Sequence, residues 1–196
     1  MILGLWEIIL VTLLTIIGIG LGILVYSKNP RKKTNQFFTA FTFSFLVWIV
    51  SAFLSEVPNN LKYSLILSRF TYLGVLLSAF FLYHLSFHFP REKTLKKQIK
   101  YLINGVTFLL SFINIFSNFI IKNISPTPWG FDLVFGRLYF LYLFFCIILA
   151  FFALLNFFQA FKRASKIEKL QLQYLFLGLI IFLFAFGKIV KDVLEK

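Results

Sequence analysis

The stretch IILVTLLTIIGIGLGILVY (residues 8–26), followed at once by SKNPRKK (residues 27–33), decides the fold. Nineteen residues without a charge, at ~1.5 Å of rise each, cross the ~30 Å hydrocarbon core of a bilayer as one helix. The basic run behind them stops the helix at the membrane surface. Working outward, the pattern recurs over residues 37–54, 63–89, 101–121, 138–161 and 172–190. With 60% hydrophobic residues, 29 Phe and a mean hydropathy of +0.88, a soluble domain of 196 residues could not hide this surface in one core. The reading is an all-α, polytopic integral membrane bundle of six transmembrane helices. It forms a single membrane domain over residues 1–196, with no soluble domain.

A net charge of +13 would suggest nucleic acid in a soluble chain, but its placement excludes that partner. Lys28, Arg31, Lys32 and Lys33 follow the first span. Arg91, Lys93, Lys96, Lys97 and Lys100 follow the third, and Lys162, Arg163, Lys166 and Lys169 the fifth. The loops of the other side hold only Lys62, Lys122 and Arg137. By the positive-inside rule the basic loops 27–35, 91–100 and 162–171 are cytoplasmic, resting on anionic lipid, and the N-terminus is outside. The expected location is the cell membrane, and the lipid bilayer is the first partner. Six spans from an outer N-terminus leave Lys196 outside, so a seven-helix design lacking its last helix is expected.

Residues 1–26 are not a cleaved signal peptide: they lack a basic start and a small-x-small cleavage site, and they carry Glu7. Cys146 is the lone cysteine, which excludes an internal disulfide. Gly18 and Gly22 make a GxxxG spacing, read as close packing inside the bundle in preference to a dimer face. Asn104, Asn114 and Asn118 in the fourth span are expected to bond between helices. Pro126, Pro128, Trp129 and Gly130 crowd the outer connection 122–137, which calls for an ordered turn with Trp129 at headgroup level.

Ionisable residues inside a span are expensive, so they mark candidate sites. Glu7 and Arg69 each lie about 9 Å inside the outer end of their helices, six residues at ~1.5 Å apiece. The expectation is a Glu7–Arg69 pair, with Trp129 and Asp132 as the lid of an outward-facing pocket. The competing account has Arg69 snorkelling outward and Glu7 in the headgroup layer. His84 and His88 share a helix face, but no third ligand sits at their depth, so no metal is expected. A hydrogen-bonded His84 with His88 at the boundary is the better reading. No nucleophile elbow, zinc-protease motif or phosphate-binding glycine loop is present, and no lysine sits mid-span for a Schiff base. Neither catalytic residues nor cofactors are therefore expected.

Several runs then carry a family resemblance. Arg69-Phe-Thr-Tyr72-Leu-Gly74 and Phe81-Leu-Tyr-His84-Leu-Ser-Phe-His-Phe-Pro90 resemble the third span of the N-terminal seven-transmembrane region of bacterial sensor histidine kinases. Thr127-Pro128-Trp129-Gly130-Phe131 is similar to that family's TPWG-aromatic motif, and Gly136-Arg-Leu-Tyr139 leads into the next span as its members do. Arg163-Ala-Ser165-Lys-Ile-Glu168-Lys-Leu-Gln171-Leu-Gln-Tyr174-Leu-Phe-Leu-Gly178 is similar to its loop before the sixth span. The resemblance adds Tyr72 to the ligand or signal site of Glu7, Arg69, Trp129 and Asp132, and makes His84 the signal-relay residue. It implies a sensor that passes an unidentified signal to a cytoplasmic kinase or other output module, working as a homodimer. Kinase activity is not implied, because these residues include no phospho-accepting histidine region or ATP-binding domain. The rival readings are a small transporter or channel subunit, and a structural subunit docked on another membrane protein.

Overall fold

The computed structural model describes residues 5–56, 60–127 and 130–177. Five helices are long and apolar enough to cross a membrane: α1 Leu5–Lys28, α2 Lys33–Ser55, α3 Leu61–His88, α4 Lys97–Phe116 and α5 Tyr139–Arg163. A sixth helix, α6, begins at 166 and is described to 177. The rest of the predicted 172–190 span lies outside the described residues. All-α membrane architecture is thus observed. The predicted helix ends fall within a few residues of the observed ones except at the start of the sixth span, where α6 begins six residues before the expected 172, and at the end of the fourth span.

That span was expected to run to Ile121, but α4 ends at Phe116, and Ile121 opens a strand. β1 (Ile121–Thr127) pairs antiparallel with β2 (Gly130–Phe135), joining Ile124 to Leu133 and Ser125 to Asp132 in register. The expected ordered turn is therefore a β-hairpin. Its root is inside the bundle: Ile120 and Ile121 are fully buried beside Leu76, Leu110 and Tyr142. At the same root, any side chain on Gly136 would collide with the carbonyls of Asn118 and Phe119, so only glycine fits there.

The helix α3 is the axis, packed on α2, α4, α5 and β1. Its buried face carries small residues, Ser64, Ser68, Gly74, Ser78 and Ser86, which let neighbouring backbones come near without a hydrophobic driving force between helices. Closest is Gly74, where a Cβ would stand 2.5 Å from the Trp48 backbone nitrogen. The helix α1 lies outermost, on α2. Gly22 faces Phe43 and Gly18 faces Leu46, so the GxxxG stripe is used within the bundle as expected.

Two buried clusters stack along the axis. At the hairpin end lie Leu76, Leu110, Tyr142 and Cys146. At the basic end lie Leu82, Leu85, Leu149, Phe157 and Leu172. The basic end is closed by a two-point ion pair between Arg91, just past α3, and Glu168 in the first turn of α6. Glu168 also accepts from the Ser165 backbone N–H at 2.7 Å, half of a capping box that starts α6.

Candidate functional site

At the hairpin end, Arg69 joins α3 to α4. Its Nη1 donates to the Ile115 carbonyl at 2.9 Å and its Nη2 to Asn118 Oδ1 at 2.6 Å. Ile115 is in the last turn of α4, where carbonyls lack helical partners and the dipole is negative, so a guanidinium is well placed there. In return, Asn114 of α4, fully buried, donates through Nδ2 to the Arg69 carbonyl at 2.7 Å. Arg69 Nε is also buried, with no partner among the described residues.

One turn further along α3, Tyr72 is ringed by Phe135, Tyr139 and Tyr142, with ring centres 5.8–6.1 Å away. The Tyr142 hydroxyl donates to the Tyr72 carbonyl at 2.5 Å, tying α5 to α3. Beside this seam lies a recess of about 520 Å³ lined by Asn118, Phe119, Lys122, Phe135, Gly136 and Arg137.

The predicted site residues separate accordingly. Arg69 and Tyr72 share the α3 face toward α4, α5 and the hairpin. Glu7 is on α1, which packs on α2, and among the described residues it is not a partner of Arg69, whose hydrogen bonds all go to α4 and the residues just after it. Asp132 is exposed on β2. Trp129 lies outside the described residues. Depth alone paired Glu7 with Arg69; the C-terminal carbonyls of α4 leave no mark in a sequence and were missed. Asn104 and Asn114, expected to bond between helices, do so, whereas Asn118 holds Arg69 of α3 from just past the end of α4.

Nearer the basic end, His84 is buried on α3 between Phe37, which stacks on it at 5.2 Å, and the edge of Phe80 at 4.5 Å. Its Nε2 meets Asn104 Oδ1 of α4 at 3.2 Å. Phe37 also stacks on His88, at 5.1 Å, and His88 Nδ1 lies 3.9 Å from Glu92. Asn156 of α5 donates to Ser86 Oγ at 3.1 Å. So α3 is bonded to α4 and to α5 in both halves of its length.

These contacts define an α-helical multi-pass membrane protein organised around one central helix. The chain belongs to the family described as the N-terminal 7TM region of histidine kinase, whose model matches residues 10–191. No curated protein and no solved structure matches it. The matched region is the membrane region of such kinases, not their catalytic part.

Proposed function

We propose that this chain is a single membrane domain serving as the signal-input end of a receptor, with the hairpin outside and the basic loops in the cytoplasm. The site is the α3–α4 seam of Arg69 and Tyr72, with Asp132 of β2 and Glu7 of the outermost helix as further candidates, and Trp129 a candidate on the sequence alone. The signal it receives is unidentified, and two copies side by side would serve a paired output kinase.

One observation carries the reading: α3 is bonded to α4 through Arg69 at one end and through His84 at the other. A ligand that competes for Arg69 or Asn118 frees the end of α4. The ensuing shift of α4 along α3 reaches the His84–Asn104 bond, and beyond it the Arg91–Glu168 pair at the start of α6. His84 is thus the relay. A ligand can bias two packings only by its differential affinity for them, and bonds that exist in one packing alone provide that difference.

The test is the state of the protein in its own membrane, read with an antibody against segment 122–137. A species well above 22.9 kDa that carries a histidine kinase, or a 22.9 kDa species that co-purifies with one, supports the reading. A 22.9 kDa species without a kinase that passes solute across liposomes overturns it.

A further inference from the structure

The loops of the hairpin end hold few basic residues, and two of them, Lys122 and Arg137, line the same recess. Both are exposed, and neither has a carboxylate partner among the described residues, whose ion pairs are His88–Glu92 and Arg91–Glu168 at the other end. Asp132 does not neutralise them: it pairs in register with Ser125, three residues along β2 from Phe135, about 10 Å away at ~3.3 Å per residue. The third polar lining residue is Asn118. Its Oδ1 is occupied by Arg69 Nη2, which leaves the amide N–H groups for another acceptor. Behind it the Arg69 guanidinium adds a third positive charge. Phe119 and Phe135 supply the apolar wall. Two backbone N–H groups beside the recess are already bonded, Gly136 N to Ile120 O and Leu138 N to Phe119 O, which ties its wall to the hairpin root.

We propose that this recess binds a phosphate-bearing anion, with Lys122 and Arg137 as its charged arms and the Asn118 amide as the directional donor. The chemistry is that of charge-assisted hydrogen bonds from two cations and an amide onto tetrahedral oxygens. Two sources share it, the headgroup of an anionic phospholipid and a soluble phosphate. The site deepens the input reading by giving the receiving end a ligand class. Through Asn118 the anion would draw on the same side chain that holds Arg69.

The test uses the full chain purified in neutral detergent. Phosphatidylglycerol is scored by native mass spectrometry, and inorganic phosphate by calorimetric titration. One retained phosphatidylglycerol, with phosphate silent, assigns a lipid headgroup; saturable phosphate binding assigns a soluble anion. Either is expected to weaken about tenfold in Lys122→Gln/Arg137→Gln, since two exposed charge pairs are lost. Lys62→Gln, which removes a basic residue of the same end outside the recess, is expected to change nothing. Both recess positions are exposed, so the variant keeps its fold, checked by an unchanged thermal midpoint. Absence of saturable binding to both probes overturns the proposal, as does equal weakening by Lys62→Gln. Neither result touches the input reading, whose own test is association with a kinase.

Discussion

Arg91 and Glu168, 77 positions apart, meet through two hydrogen bonds: Arg91 Nε donates to Glu168 Oε1 at 2.8 Å and Nη2 to Oε2 at 3.0 Å. The pair clips the connection after α3 to the first turn of α6. Glu168 serves both the guanidinium and the Ser165 N–H, so one carboxylate starts a helix and anchors it.

This carboxyl is held at about 2, below its ordinary value of 4.5, first by the Arg91 hydrogen bond and then by Ser165. A depressed acid contributes stability that is complete above its ordinary value and lost as pH falls through the depressed one. Wild type should therefore exceed Glu168→Gln in thermal midpoint by a constant margin from pH 8 to 5. The margin should shrink between about 4.5 and about 2. Because Arg91 is exposed, high salt should narrow it too. Thermal melts in detergent across pH and salt check this.

Gly74 leaves no room for a side chain, since a Cβ would meet the Trp48 and Ser44 backbones, which cannot swing aside. Gly74→Ala should destabilise by about 1–3 kcal/mol through overpacking between α2 and α3. Gly20→Ala, with nothing within 4 Å of its Cβ, should stay within about 0.5 kcal/mol. Unfolding of the two variants under one denaturant series separates them.

Removing the Asn114 amide takes away a buried bond to α3. Asn114→Leu should cost about 0.6 kcal/mol, with about 1.7 as the upper end, the range of interhelical hydrogen bonds in a membrane protein. Tyr142→Phe, which deletes the hydroxyl on the Tyr72 carbonyl, should cost about 1 kcal/mol. The double variant should be nearly additive, because the two bonds tie α3 to different helices and share no partner. Denaturant unfolding of the set checks the sum.

The proposed orientation rests on the charge of the loops and can be tested directly. In a Cys146→Ser background, exposed Ser125→Cys on the hairpin should react with an impermeant maleimide in intact cells. Exposed Thr94→Cys, in the basic connection after α3, should react only after lysis. The opposite pattern would invert the topology.

Most of the architecture was legible because a bilayer tolerates few spanning solutions: long uncharged runs must be helices. The fourth span was overread because Phe119, Ile120 and Ile121 prolong its apolar pattern, and a short buried strand cannot be told from helix by hydrophobicity. The Ser117–Asn118 step and the prolines at 126 and 128 were the available signals of a break. The loop 162–173 was expected to continue the helix, but the chain breaks at 164–165 and Ser165-x-x-Glu168 caps a new one, a local pattern that was passed over. The bond of Glu168 to Arg91 leaves no local pattern at all, since it links residues so far apart. Arg69 drew attention for the right reason, a charge in a span. Its partner escaped because a helix-end carbonyl belongs to every sequence alike.

The root of the hairpin has a mechanical meaning. Ile120 and Ile121 are sealed into the core, and Gly136 closes against the chain there with no space to spare. The ribbon is thus rooted among α3, α4 and α5 as part of their packing, not hung from them as an appended loop. The strands therefore cannot be displaced at their root without repacking Leu76 of the central helix.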